Sequence, residues 1–205
     1  MSEITKLFPT PVYQNHDYTL NEDELKIINH VGAFAKLNDG NNLTSHERYL
    51  FDNYKELNNF KKYCQEQVNK FAHNILKIDT KQQFYITQSW VNVNTPDTFH
   101  HAHVHLNSLI SAVYFVTGDS SPIRFQQSPL HSLFPMYELT VTEYNILNSD
   151  GWNMENKKDT LLLFPSSLKH YVPKNQQGFN RVSLSFNTFI RGVIGETDKA
   201  TELKL

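Results

Sequence analysis

Arg181-Val182-Ser183-Leu184-Ser185-Phe186-Asn187 alternates without a break between polar and apolar side chains. Successive residues of a β-strand point to opposite faces of the sheet. Arg181, Ser183, Ser185 and Asn187 therefore share one face, and Val182, Leu184 and Phe186 the other. An antiparallel strand of this kind turns its apolar face to a core. Its polar face either meets solvent or, in a barrel, lines an internal ligand cavity. In the second arrangement Arg181, one of only four arginines against fifteen lysines, would offer a guanidinium fork to a carboxylate inside the fold.

The period of two extends on both sides of this stretch. Phe84 to Val93, Leu109 to Thr117, Ile123 to Phe125, Leu139 to Val141, Thr160 to Phe164, Lys169 to Val172 and Arg181 to Ile190 read as strands, with turns at Gly118 to Pro122 and Lys174 to Gly178. Residues 126–158 are irregular and carry Pro129, Pro135, Phe134, Met136, Tyr137, Tyr144 and Trp152. So long an insertion either covers the mouth of a site and sets specificity or packs plainly against the strands. Before residue 83 the period is helical. Asn21 and three acids open a segment with Leu25, Ile28, Val31 and Phe34 on one side, and Phe60, Cys64, Val68, Phe71 and Ile75 recur between Tyr54 and Ile78. Asn38 to Glu47 reads as a loop, and His73 as a helix histidine. The expectation is one domain of α+β class, mainly β. Residues 1–82 are mostly helical, and 83–192 form a sandwich or barrel.

Composition narrows the function. The chain has 205 residues and a net charge of −2, and the nearest it comes to a cation cluster is short pairs such as Lys61-Lys62 and Lys157-Lys158. A nucleic-acid or acidic-membrane partner is disfavoured on that ground. Mean hydropathy is −0.51, and no apolar run approaches the roughly 20 residues of a membrane span. The first eight residues lack the apolar stretch of a secretory signal, and Cys64, the single cysteine, suits a reducing compartment; a cytoplasmic location is expected. No Gly-x-Ser-x-Gly elbow and no Gly-rich phosphate loop is present.

Four of the ten histidines fall within six positions, at His100, His101, His103 and His105. Histidines two apart on a strand face the same way, so His103 with His105, or His101 with His103, can converge on one ion. The plain alternative is an exposed histidine-rich loop. His170 changes the balance: it follows the apolar strand Leu161 to Phe164 and a Pro165-Ser166-Ser167 turn, and a β-barrel would bring it to the pair. Two ligands at i, i+2 and one distant histidine is the layout of a facial metal triad. Asp97 and Asp119 are the acids near enough in sequence to offer a carboxylate instead, though both read as loop residues.

Several motifs in order carry a resemblance: Leu7-Phe8-Pro9-Thr10-Pro11-Val12-Tyr13, Trp90-Val91-Asn92-Val93, His103-Val104-His105 with Ser108 and Ser111 to Phe115, Leu163-Phe164-Pro165-Ser166 with His170, and Arg181 to Asn187. Together they resemble the 2-oxoglutarate/Fe(II)-dependent oxygenases related to prolyl hydroxylases, over almost the whole chain. The resemblance implies a double-stranded β-helix (a jelly roll, cupin-like) with supporting N-terminal helices. It also implies Fe(II) as metal, 2-oxoglutarate as cosubstrate and O₂ as oxidant. His103 and His170 match the family's histidine ligands, and His105 stands where the wider superfamily has Asp or Glu. A His-x-His version is typical of this branch, which makes His105 the third ligand. Arg181 and Ser183 match the Arg-x-Ser pair that grips the distal carboxylate of 2-oxoglutarate, and Tyr114 an aromatic position beside it.

Three neutral imidazoles leave such a site one negative charge short of the usual triad, so the dianionic cosubstrate alone would neutralise Fe(II). They also suit zinc. The expected function is hydroxylation of a C–H bond in a peptidyl or small amino-acid-like substrate, with release of succinate and CO₂. The alternatives are a three-histidine cupin-type metalloenzyme that does not use 2-oxoglutarate, and a non-catalytic jelly-roll binding module. No protein general base is required for the first, because the metal carries the hard chemistry.

Overall fold

The computed structural model describes residues 3–38, 41–118, 121–128 and 139–205. The expectations attached to Asp119, Phe134, Met136 and Tyr137 lie outside these residues. Two antiparallel sheets carry the fold. The larger has seven strands in the order β1-β9-β6-β11-β4-β3-β2. These are β1 (Tyr13–Asn15), β2 (Lys36–Leu37), β3 (Leu43–Thr44), β4 (Gln83–Asn94), β6 (Ile110–Phe115), β9 (Thr160–Pro165) and β11 (Arg181–Arg191). The smaller has four, in the order β5-β10-β7-β8: β5 (His100–His103), β7 (Ile123–Gln126), β8 (Gly151–Met154) and β10 (Lys169–Val172). A short ribbon of β12 (Val193–Ile194) and β13 (Leu203–Lys204) follows.

The strand expectations hold for β4, β6, β7, β9, β10 and β11 to within a few residues. Residues 139–141 form no strand; β8, ten residues on, takes that place at the edge of the smaller sheet. The first 82 residues are less helical than their pattern suggests. Tyr13–Asn15 pairs with β9, and Leu43–Thr44, inside the expected loop, forms a hairpin with Lys36–Leu37 that extends the large sheet beyond β4. Two- and three-residue strands are too short to show a period, so only tertiary pairing creates them.

Helix α1 (Glu22–Ala33) begins where the sequence places it. The Asn21 side chain accepts from the backbone of Asp23 and Glu24, and Glu24 accepts from the Asn21 N–H, a reciprocal cap. The expected 54–78 helix is broken. A short α2 (Leu50–Asn53) and a single 3₁₀ turn precede α3 (Asn58–Asn69), which ends in a π-helical turn over Lys70–Ile75.

Period two decides what each face of the large sheet meets. Ile28 and Val31 of α1 and Phe60, Cys64 and Val68 of α3 pack with Val91, Val93, Ala112, Tyr114, Leu161, Leu163, Leu184 and Phe186 in one cluster, so this outer face is covered by helices. The inner face is shared with the smaller sheet: Val113, Phe115, Leu162 and Phe164 of the large sheet meet Ile123 and Phe125 of the small one. On β4 and β11 the same inner face is polar. Register pairs Arg181 with Asn94, Ser183 with Asn92 and Ser185 with Trp90. The alternating stretch thus turns its polar side into the fold, and Arg181, Ser183 and Ser185 are all buried there.

Candidate functional site

His103, His105 and His170 each direct a ring nitrogen to one point, these atoms lying within 4.8 Å of one another. His103 ends β5 and His170 sits in β10. The two are direct partners across the ladder, and Phe125 of β7 flanks His170 on its other side. His105 lies beyond the end of β5 and is brought back by its own backbone, whose N–H donates to the carbonyl of Ser166 at 3.0 Å. The ring centroids are 4.4 Å apart for His103 and His170, and 5.1 Å for His105 with each of them.

Hydrogen bonds select which nitrogen each ring presents. His103 Nδ1 lies 2.8 Å from the carbonyl of His101, and His170 Nδ1 lies 2.9 Å from that of Leu168. A carbonyl only accepts, so both Nδ1 atoms carry the proton and Nε2 is left with a free lone pair, the usual outer support of a ligating histidine. Behind His105 a chain of hydroxyls joins the turn after β9 to β11. Ser166 donates to Ser108 at 2.7 Å, Ser111 and Ser166 are 2.8 Å apart, and Ser111 donates to the Asn187 side chain at 2.9 Å. The Asn187 amide in turn lies 3.5 Å from His105 Nδ1.

Burial keeps these rings neutral. Withdrawal from water, reinforced by the neighbouring His103, lowers His170 to about 3 and His105 to about 4. His103 is also lowered, chiefly by burial. A cluster of imidazoles cannot all be charged at this separation, so the site holds its lone pairs ready at neutral pH. The donor set, three imidazoles and no thiolate, suits Fe(II), Zn or Ni.

Two of the four clustered histidines serve differently. His100 stacks on His103 with centroids 4.3 Å apart, and its ring is lowered to about 3 by burial and then by the other histidines and Arg181. His101 contributes its carbonyl, not its ring, to orienting His103. Asp97 is not among the converging groups: its exposed carboxylate pairs with Lys174 at 2.8 Å. Among the described residues the three histidines form the one such cluster.

Arg181 is 2% exposed. Its guanidinium lies 5.3 Å from the Phe115 ring centroid, and Nη1 donates to the Pro122 carbonyl at 3.4 Å. Ser183 stands beside it on the same face. Tyr114 is not on this face. It occupies the outer face, edge-on to Phe60 at 4.7 Å, and its hydroxyl donates to the Tyr18 carbonyl and to Asp159, both at 2.9 Å. In β6 the residues of the inner face are Ser111, Val113 and Phe115, one position out of step with Tyr114. Asn92, Asn94, Ser111 and Asn187 are the inner-face residues that the motif reading assigned no role. Their alternation with apolar neighbours was the available signal.

Comparison with known proteins follows this geometry. Residues 88–187 match a protein-family model described as "Putative 2OG-Fe(II) oxygenase". No curated protein matches significantly. Among solved structures, a prolyl-4-hydroxylase of Pseudomonas putida is 11% identical, with 89% of this chain and 93% of that one covered at a TM-score of 0.55. A 2OG-Fe(II) oxygenase family oxidoreductase of Burkholderia pseudomallei is 11% identical, with coverages of 86% and 84% and a TM-score of 0.57. HygX of Streptomyces hygroscopicus, solved with nickel, 2-oxoglutarate and hygromycin B, is 9% identical, with coverages of 87% and 82% and a TM-score of 0.61. At these identities the likeness is one of fold. The matched segment, the shared fold and the three converging histidines agree: residues 88–187 are similar to the 2OG-Fe(II) oxygenase family, whose metal is iron and whose cosubstrate is 2-oxoglutarate, and His103, His105 and His170 can form a metal site.

Proposed function

We propose that the protein is an Fe(II)/2-oxoglutarate-dependent dioxygenase that hydroxylates a C–H bond of a peptidyl or small amino-acid-like substrate. The observation that carries the reading is the convergence of His103, His105 and His170 on one point inside a fold whose same interior buries Arg181. In this reading the three histidines hold iron, and Arg181 and Ser183 hold the distal carboxylate of 2-oxoglutarate. With both groups bound, such a centre couples oxidative decarboxylation of 2-oxoglutarate, giving succinate and CO₂, to insertion of one oxygen atom of O₂ into a C–H bond. The chain's own part is positional. Backbone carbonyls fix the His103 and His170 tautomers, the Ser108–Ser166–Ser111 hydroxyls brace the turn that carries His170, and Arg181 draws a dianion toward a cluster whose donors, among the described residues, are all neutral imidazoles.

The same reading makes the two sheets a jelly roll, the whole chain one domain, and the location cytoplasmic. Cys64 is a buried free thiol, and no helix among the described residues is long and apolar enough to cross a membrane. The substrate class rests on the likeness to a prolyl-4-hydroxylase. A three-histidine metalloenzyme without 2-oxoglutarate is the second reading, favoured by the lack of a carboxylate in the donor set. Anaerobic addition of Fe(II) and 2-oxoglutarate, followed by O₂, separates them. A weak visible charge-transfer band and slow succinate formation are expected, and both should vanish in Arg181→Ala. Stoichiometric metal binding with neither band nor succinate would replace the first reading by the second.

A further inference from the structure

The inner face of β4 carries two asparagines in succession, and they are used differently. Asn92 is satisfied at both ends: its Oδ1 accepts from Thr44 Oγ1 at 3.2 Å, and its Nδ2 donates to Ser185 Oγ at 3.1 Å. Asn94, two residues on and 3% exposed, has a side-chain Nδ2 that is buried with no hydrogen-bond partner. Its backbone is engaged, because Asn175 Nδ2 donates to the Asn94 carbonyl at 2.9 Å, so the residue is held in place while its amide is left open. Buried donors are paired almost without exception, and one that is not marks a place where something else accepts.

What stands opposite Asn94 says what that acceptor is. Its direct partner across the β4–β11 ladder is Arg181. Directly opposed residues share a face, so a buried cation and an open amide donor lie side by side on the inner face. His100 stacks on the ligand-set residue His103 and is near enough to Arg181 to feel its charge. A carboxylate accepts at up to four positions. The Arg181 fork and the Ser183 hydroxyl would occupy three and leave one.

We propose that Asn94 is a cosubstrate-positioning residue, whose side-chain amide donates a hydrogen bond to the distal carboxylate of 2-oxoglutarate beside Arg181. This rests on the 2-oxoglutarate reading above. Asn94 contributes a neutral donor from a second strand, so the carboxylate is gripped from both β4 and β11 and the length of the dicarboxylate is measured against both.

The test is anaerobic titration of the iron-loaded protein with 2-oxoglutarate, followed by the charge-transfer band, for the parental protein, Asn94→Ala and Asn94→Asp. A parallel Ni(II) titration reports on the metal site. Loss of one hydrogen bond from a neutral donor to the carboxylate raises the dissociation constant at least about 10-fold in Asn94→Ala. In Asn94→Asp, which keeps the shape but opposes two carboxylates, it rises roughly 100-fold. Nickel affinity stays unchanged in both. Equal 2-oxoglutarate affinity in all three proteins, or loss of nickel binding along with 2-oxoglutarate, overturns the assignment. Failure of the parental protein itself to bind 2-oxoglutarate overturns the underlying reading, and is told apart by appearing before any substitution.

Discussion

The two faces of β11 are made by the same seven residues and do opposite work. Val182, Leu184 and Phe186 look outward into the cluster that joins the large sheet to α1 and α3, and Leu184 and Phe186 are fully buried there. Arg181, Ser183 and Ser185 look inward and are buried almost as deeply, among Asn92, Asn94 and the histidines. Burial is the same; chemistry is not. The outer face gains its stability from apolar area and close packing. The inner face gives up that gain along β4 and β11, leaving apolar packing between the sheets to Val113, Phe115, Ile123, Phe125, Leu162 and Phe164. A strand with period two lets one segment hold the fold together and carry a polar site, because neither face constrains the side chains of the other.

Substitutions on the two faces should therefore separate stability from ligand binding. Phe186→Ala on the outer face should cost about 3–5 kcal/mol in urea unfolding, the price of emptying a large core position, without changing metal stoichiometry in the fraction that remains folded. A loss of metal affinity at unchanged stability would break the comparison. On the inner side, His170→Ala should weaken metal binding at least about 100-fold, as expected when one of three ligands is lost, with a lowered melting temperature in the metal-free state at neutral pH because a buried ring leaves a cavity. That deficit should narrow as the pH falls below about 6, because the variant lacks one group that folding holds neutral.

The inner face should also carry the acid sensitivity of the metal-free protein. His100, His105 and His170 are lowered by burial to about 3, about 4 and about 3, whereas in the unfolded chain they titrate near 6.5. Between these limits the unfolded state binds more protons, so stability is full above about pH 6.5 and is lost progressively as the pH falls toward 4. Melting temperature measured from pH 7.5 to 4.5 should drop through that window, and less steeply when Ni(II) is present. A flat profile would mean the rings are not withdrawn from water. The smallest effect is at Tyr114→Phe, which removes a hydroxyl bonded to Asp159 and the Tyr18 carbonyl. It should cost about 1 kcal/mol and leave 2-oxoglutarate affinity untouched; a shifted affinity would put Tyr114 back in the site.

Much of the candidate site is legible in the sequence. The His-x-His pair, His170 and Arg181-x-Ser183 are separated by long intervals but lie in strands whose period is plain, and the family motifs gave their order. What was not legible depended on phase and on distant partners. Tyr114 has the right sequence neighbourhood, yet a shift of one residue in register moves a side chain through the sheet, and only the pairing of β6 with β9 and β11 shows on which side it falls. Alternation puts Asn187 on the face of Arg181, but the sequence does not show that Asn92 meets Ser185 or that Asn94 faces Arg181; those pairings exist only because β4 and β11 lie side by side. The short strands Lys36–Leu37 and Leu43–Thr44 have no pattern of their own and form because the edge of β4 offers unpaired backbone groups.

By itself the sequence determined which residues could share a face, because alternation is a local property of the extended chain, and it determined the chemistry on offer: imidazoles two apart, one distant imidazole and one arginine on a polar stripe. Only the tertiary structure decided that this stripe faces inward, that His105 is turned back onto His103 and His170 by its bond to Ser166, and that Asn94 stands open beside Arg181. Those outcomes depend on strand register and on hydrogen bonds between segments some 60 to 90 residues apart, and no local period of the chain encodes them.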